Sequence, residues 1–131
     1  MGAWGTRNFE NDGSQDWIFD LMENRDGGLV TDTMARIINN HETLEVGDCE
    51  EALAAAELVA ALVGKPSEDF PENPLDQLDI LNLIATRTLR NQAIAAVNKI
   101  VAGSEMKNYW EQEGSLDSWV AVEQGLIKRL E

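Results

Sequence analysis

Apolar residues recur at intervals of three and four along most of the chain, which is the period of an amphipathic α-helix. No segment shows the alternation of apolar and polar residues that marks a half-buried β-strand. The pattern predicts an all-α fold, a compact array of about five to seven helices after an irregular N-terminal arm over residues 1–13. The length of 131 residues fits one ordinary domain, so we expect a single helical domain over residues 1–131.

The first half of the chain contains three predicted helices, over residues 14–25, 29–40 and 48–63. Ser14 is a favourable N-cap for the first of them. The third has Asp48 followed three residues later by Glu51, the spacing of a capping box, and Gly64 is placed to end it. Its apolar face is mostly alanine. Such small side chains let neighbouring helices approach closely, so we expect this helix to be central.

The second half begins with a loop predicted over residues 65–74, a segment that holds three prolines. Residues 75–102 carry the longest helical pattern, and we expect either one long helix or two helices with a break between Ile84 and Thr88. Two further helices are predicted over residues 105–112 and 116–130. Each is preceded by a Gly-Ser pair, in which the glycine ends one helix and the serine caps the next.

The chain is strongly acidic, with a net charge of −14. Residues 41–80 hold eleven acids and one base, Lys65, whereas residues 81–108 hold four bases and one acid, Glu105. A negative field repels nucleic acid and anionic membranes, so neither is an expected partner, whereas a basic protein would be attracted. The alternative is that the charge serves solubility alone.

The sequence also bears on location. A single cysteine excludes an intramolecular disulfide, so nothing indicates an oxidising compartment. No stretch reaches the roughly 18 apolar residues that span a bilayer, and no secretory signal is present. Residues 1–6 fit the bare N-myristoylation pattern, but no polybasic segment follows to supply a second anchor. We therefore expect a cytoplasmic protein.

The residues needed for common catalytic and cofactor sites are scarce. His41 is the only histidine and Cys49 the only cysteine, which excludes a zinc site built from these residue types alone. A nucleophilic pair of His41 and Cys49 is one interpretation, and a surface histidine with a buried structural cysteine is the other. Neither glycine-rich phosphate-binding pattern occurs, and we expect no cofactor.

Asp12, Asp16 and Asp20 recur every four residues, and they would line one face of the first helix if it began at residue 12. Three carboxylates in a row suit a hard cation such as Mg²⁺ or Ca²⁺, so these residues are metal candidates. The alternative is a solvated helix face in which Asp16 favours the helix N-terminus.

Aromatic residues cluster at the two ends of the chain. They are Trp4, Phe9, Trp17 and Phe19 near the start, and Tyr109, Trp110 and Trp119 near the C-terminus. One interpretation is a recognition pocket, because tryptophan and tyrosine anchor many interfaces. The other is that the arm packs its aromatic side chains against the C-terminal helices, since an irregular arm needs large anchors to stay ordered.

A motif at the N-terminus supports a family resemblance. It consists of Gly2-Ala3-Trp4-Gly5, then Phe9, Asn11-Asp12 and Trp17. This pattern, G-x-W-G-x-x-x-F-x-N-D before a helix, resembles the opening of a bacterial family known as the domain of unknown function numbered 4259. The alanine-rich segment 52–63 and Trp110 extend the resemblance over most of the chain, whereas Arg7 and Gly13-Ser14 depart from it.

The resemblance implies a bacterial, helical, single-domain protein and implies no particular activity. The motif residues Trp4, Phe9, Asn11, Asp12 and Trp17 form either a structural lock or an interaction site, since glycines beside Trp4 permit a tight turn and Asn11 and Asp12 suit turns and caps.

Two functions remain open from the sequence. The first is a non-enzymatic acidic module that binds a basic protein, for instance an immunity-type protein that masks a basic toxin. The second is a metal-dependent enzyme or small-ligand binder that uses Asp12, Asp16 and Asp20 near Trp4 and Trp17. The sequence does not indicate an oligomeric state.

Overall fold

The computed structural model describes residues 3–131, which form seven α-helices and one 3₁₀ helix. The α-helices are α1 (Asp12–Asn24), α2 (Gly28–Ile38), α3 (Val46–Leu62), α4 (Glu72–Asp76), α5 (Arg87–Ala102), α6 (Glu105–Gln112) and α7 (Leu116–Leu130). The 3₁₀ helix, Leu78–Leu81, lies between α4 and α5. Within residues 3–131 the only β-type pairing is an isolated antiparallel bridge between Ala3 and Asn11. The predicted all-α fold is confirmed.

Helix α3 is the centre of the array. Every residue from Ala52 to Ala61 is buried, and α1, α2, α5, α6 and α7 all pack against α3. The alanines on its surface allow this close packing from several sides. Gly64, at φ +82°, ends the helix as predicted, and the Lys65 and Gly64 amides donate to the Ala60 and Ala61 carbonyls. This arrangement is a Schellman C-cap.

Two predicted helix starts are wrong. Helix α1 begins at Asp12, because Asn11 and not Ser14 is the N-cap: its side-chain oxygen accepts a hydrogen bond of 2.7 Å from the Ser14 amide. Helix α3 begins at Val46 after Glu45, without a side-chain cap, so Asp48 and Glu51 lie inside the helix. Asp48 still supplies negative charge to the first turn, where it is favourable.

The proline-rich segment differs from the predicted loop. Residues 72–76 form the short helix α4, and Pro74 is buried in it. The first amides of a helix have no intrahelical partner, so a proline in the first turn removes no hydrogen bond. Of the two alternatives for residues 75–102, the structure has the break, since Asn82 at φ 51° ends the 3₁₀ helix and Thr86 caps α5 through the Leu89 amide. The first of the two expected helices is wrong, because the end of α4 and the 3₁₀ helix take its place.

The arm folds back on the helices it precedes. The Trp4 amide donates to the Glu10 carbonyl at 2.9 Å, and the Phe9 ring packs edge-on against Phe70 with centroids 4.9 Å apart. Helices α6 and α7 have the predicted bounds to within a residue, and the Ser104 hydroxyl caps α6 through the Lys107 amide. In residues 3–131, no helix has the length and apolar character that crossing a membrane requires.

Gly13 and Ser14 have clear structural roles. A Cβ on Gly13 would lie 2.5 Å from Oε1 of Glu50, so glycine leaves room for that buried side chain on α3. Ser14 is fully buried, and its hydroxyl donates to the Asn11 carbonyl at 3.2 Å. Gly13 therefore permits the close approach of α1 to α3, and Ser14 adds a second hydrogen bond within the first turn of α1.

Candidate functional site

The outer face of α1 carries a row of carboxylates with one aromatic ring among them. Its members lie at successive helical turns and are all exposed: Asp12, Asp16, Phe19, Asp20 and Glu23. The opposite face buries Trp17, Ile18, Leu21 and Met22. The Phe19 side chain is 47% exposed, and it lies one helical turn from both Asp16 and Glu23. We call this row the α1 stripe.

The α1 stripe is electrostatically unfavourable for the helix itself. Asp12, Asp16 and Asp20 are spaced at i, i+4, where like charges destabilise a helix by roughly 0.2–0.5 kcal/mol per pair. Asp20 and Glu23 lie toward the negative end of the helix dipole, where the last turn of α1 has no basic residue and Arg25 follows as the C-cap. Within residues 3–131, no member of the stripe belongs to an ion pair.

The acidic surface continues beside α1. Helix α4 and the 3₁₀ helix both pack against α1, and they carry the exposed carboxylates Glu72, Asp76 and Asp79. None of these three takes part in an ion pair within the described part of the chain. Exposed carboxylates that belong to no ion pair of residues 3–131 therefore lie on all three of these neighbouring helices.

Several acids of the 41–80 segment do not contribute free surface charge. Glu50 and Glu57 are buried on α3. Glu51 lies 3.6 Å from the Arg36 guanidinium, and Glu68 lies 3.4 Å from that of Arg7. The lopsided charge seen in the sequence is therefore partly internal, and α1, which lies outside that segment, adds further exposed acids to the surface.

A buried cluster of polar side chains joins the arm to two helices. The Asn8 Nδ2 donates at 2.8 Å to Oε2 of Glu57 on α3 and at 2.8 Å to Oε1 of Glu123 on α7. Arg129 donates to both carboxylate oxygens of Glu57, at 2.9 and 3.2 Å. Beside the cluster, the Phe9 amide donates to Oδ2 of Asp69 at 3.0 Å. One asparagine thus holds the arm against the core.

The two carboxyl groups of the cluster differ in protonation. Burial raises the pKa of Glu123 well above its usual range, and the nearby carboxylates of Glu57 and Asp69 add to the shift more than Arg129 reduces it. Burial also raises the pKa of Glu57, but the two bonds from Arg129 and the bond from Asn8 oppose that shift. A proton shared by the pair therefore resides on Glu123. Its Oε2 has no hydrogen-bond partner within residues 3–131.

A shallow groove of about 300 Å³ borders this cluster. Glu57 and Arg129 lie at its base, and the Arg7–Glu68 ion pair lies at its rim. The rest of the wall comes from α7 and from the segment that follows α3, including Pro66. Because Glu57 is 1% exposed and bound on both oxygens, it does not present a free carboxylate to this groove. The cluster acts as a structural lock.

The structure separates the residues of the N-terminal motif. Phe9 and Trp17 are buried, and the Trp17 indole donates to the Thr33 hydroxyl at 3.1 Å. Asn11 is the N-cap of α1, and Asp12 occupies its first turn. Trp4 is different, since 61% of it is exposed. Gly2 of the motif lies outside the described residues, as does Met1, the first residue of the myristoylation pattern.

The other predicted chemistry can also be placed. Asp12, Asp16 and Asp20 share the exposed face of α1, as the predicted spacing requires, but no group of three or more His, Cys, Asp or Glu in residues 3–131 is arranged to hold a metal ion. Cys49 is buried and burial raises the pKa of its thiol to about 12, whereas His41 is exposed. A thiol with that pKa is a poor nucleophile at neutral pH.

The buried cluster was not predicted from the sequence, although a signal of it was present. In α7 the buried positions are Trp119, Glu123, Leu126 and Leu130, which form one helical stripe. Glu123 therefore occupies an apolar position of a predicted amphipathic helix. Glu57 likewise interrupts the alanine-rich face of α3. A glutamate in such a position indicates a buried polar partner.

Comparison with known proteins gives one match. The family model described as Domain of unknown function (DUF4259) matches residues 2–122. The chain therefore belongs to that family. No curated protein and no solved structure gives a significant match.

Proposed function

We propose that this member of the family is a non-enzymatic protein-binding module whose α1 stripe docks a basic protein. The observation that carries the proposal is the set of unpaired carboxylates around the exposed Phe19 ring. A stripe of this kind supplies two things that an interface needs. The carboxylates attract and orient a cationic partner, and the ring offers apolar surface that becomes buried on contact.

The unfavourable electrostatics of α1 support a role outside folding. Carboxylates one turn apart, two of them at the wrong end of the helix dipole, lower the stability of the free protein. A cationic partner would relieve this repulsion when it binds. The charge arrangement therefore favours the bound state over the free state, as expected for a docking face. One form of the proposal is an immunity-type protein that masks a basic toxin in the cytoplasm.

Neutralising the α1 stripe tests the proposal. The variant D16N/D20N/E23Q removes three negative charges while it keeps the shape of the side chains. The matched control D32N/E42Q/E111Q removes three charges from exposed positions that lie off the stripe and off α4. Both variants and the wild-type chain would serve as bait in lysate of the source cell at low and moderate salt, with captured proteins identified by mass spectrometry.

We expect the wild-type chain and the control to retain one stoichiometric basic protein that moderate salt releases, and the stripe variant to lose it. Phe19→Ala should weaken capture at unchanged net charge, because it removes only the apolar contact. Equal capture by the stripe variant and the wild-type chain would contradict the proposal. Equal loss in both charge variants would show that net charge alone attracts the partner, which also contradicts a specific docking face.

A further inference from the structure

A second surface feature lies between the arm and the corner where α6 meets α7. Trp4, 61% exposed, borders an open groove of about 470 Å³ together with Tyr109, Trp110 and Glu113. The Tyr109 and Trp110 rings pack edge-to-face with centroids 4.9 Å apart. The groove therefore combines aromatic surface from two distant parts of the chain with one carboxylate.

The arm holds Trp4 in place although most of its side chain faces solvent. Its amide donates to the Glu10 carbonyl, and the neighbouring Ala3 pairs with Asn11 in the antiparallel bridge. The next turn is anchored in the core by Asn8 and Phe9, which are both buried. A tryptophan on such a fixed backbone can contact a ligand with little loss of conformational freedom, which favours binding.

The residues that line the groove favour binding of a cation. Among residues 3–131, the lining contains the carboxylate of Glu113 and the hydroxyl-bearing residues Thr6, Ser115 and Ser118, and no lysine or arginine. Glu113 is exposed and belongs to no ion pair within residues 3–131. Aromatic faces attract cations through the ring quadrupole, and the strongly negative net charge of the chain reinforces that attraction.

We propose that the Trp4 groove binds a guanidinium group, the side-chain head of an arginine on the basic partner. A guanidinium is flat, is weakly hydrated and carries a fork of N–H donors. It can therefore stack on the Trp4 ring while it donates to the Glu113 carboxylate. An ammonium group is a compact and strongly hydrated charge that lacks the stacking face. The assignment to a partner's arginine rests on the proposed function, whereas the affinity of the groove for guanidinium does not.

The test uses a small probe on the whole chain, followed by NMR at the indole N–H signals. N-acetyl-arginine methylamide is titrated to tens of millimolar against ¹⁵N-labelled protein, with the uncharged citrulline analogue and the lysine analogue as comparisons. The Trp4 indole signal is assigned by its loss in Trp4→Phe. The variant Glu113→Gln removes the carboxylate charge, and Glu111→Gln is its control on the same helix, since Glu111 does not line the groove.

We expect a saturable shift of the Trp4 indole signal with the arginine probe, a weaker one with lysine and none with citrulline. Glu113→Gln should weaken arginine binding by about threefold or more, and Glu111→Gln should leave it unchanged. No saturable Trp4 shift, equal shifts with citrulline or lysine, or equal affinity in Glu113→Gln would overturn the proposal. If the titration fails while capture still depends on the α1 stripe, the groove proposal alone is refuted. If the titration succeeds while capture does not depend on the stripe, the proposed function of the α1 stripe alone is refuted.

Discussion

At the scale of single residues, Asn8 connects the irregular arm to two helices, α3 and α7. Its amide nitrogen satisfies two buried carboxyl groups whose residues lie 49 and 115 positions away along the chain. Sequence patterns are local, so they could predict the Asn11 turn and the helices but not a contact over these separations. The apolar positions of the helices were predictable, and the glutamates at two such positions, Glu57 and Glu123, were the local signals of the cluster.

Asn8→Ala should be strongly destabilising, because it leaves the buried Glu123 without a donor and removes one of the three bonds that Glu57 accepts. Removing hydrogen bonds to buried carboxyl groups costs about 2–3 kcal/mol in total here. Urea denaturation of the variant would measure the loss in the free energy of unfolding. Asn108→Ala, at an exposed position on α6, is the control and should change stability by less than about 0.5 kcal/mol. Equal stabilities of the two variants would contradict the bridging role.

Glu123 should also give the protein an unusual pH dependence. The pKa of Glu123 is raised in the folded state, so the folded protein binds a proton that the unfolded chain has already released. The contribution of this group to stability is therefore complete below the unfolded pKa, and it is lost as the pH rises toward the folded pKa. The groups facing it are Glu57 and Arg129, with Asp69 beyond them.

Glu123→Gln removes this titration and keeps an oxygen that can accept the Asn8 bond. The variant should gain stability relative to the wild-type protein as the pH is raised from about 5 to about 9. Urea midpoints across that range would measure the difference. Glu111→Gln, an exposed control, should differ from wild type by a constant amount. A Glu123→Gln difference that stays constant or shrinks with rising pH would argue against a protonated Glu123.

At the scale of elements, the apolar period predicted most helices because each presents one clear face to the core. The short proline-containing helix α4 escaped that reasoning, since three prolines in ten residues indicate a loop unless the proline falls in a first turn. The candidate α1 stripe was predictable as spacing, because Asp12, Asp16 and Asp20 had to share a face once the helix began at residue 12. The exposure of the stripe and of the Phe19 ring could not be predicted, because it depends on how the neighbouring helices pack.

Helix α3 should tolerate larger side chains poorly, because helices pack on it from several sides. Ala56 is fully buried, and Ala56→Leu would insert three carbons into a filled space. Overpacking of this kind costs about 1–3 kcal/mol. Thermal denaturation should show a lower melting temperature, whereas Ala95→Leu on the exposed face of α5 should melt near the wild-type temperature. Similar melting of both variants would show that α3 is loosely packed.

At the scale of the whole molecule, the negative charge opposes folding while it favours a cationic partner. Neutralising the stripe in D16N/D20N/E23Q should therefore raise the free energy of unfolding at low salt, by about 1 kcal/mol, because several like-charge pairs disappear. Adding salt should stabilise the wild-type protein more than this variant, because salt screens the repulsion between the stripe carboxylates and the variant lacks most of these charges. A stripe variant less stable than D32N/E42Q/E111Q at low salt would mean that these carboxylates have stabilising contacts.

The lock formed by Asn8 also has a consequence for synthesis on the ribosome. Glu57 is translated well before Glu123 and Arg129. The Glu57 carboxylate therefore has no ion-pair partner from Arg129 until α7 has been translated. The arm is translated before α3, yet one of its two carboxyl partners is translated 115 positions later. The buried cluster can therefore close only after translation has reached α7, and the docking of α7 is the step that removes Asn8 and Glu57 from water.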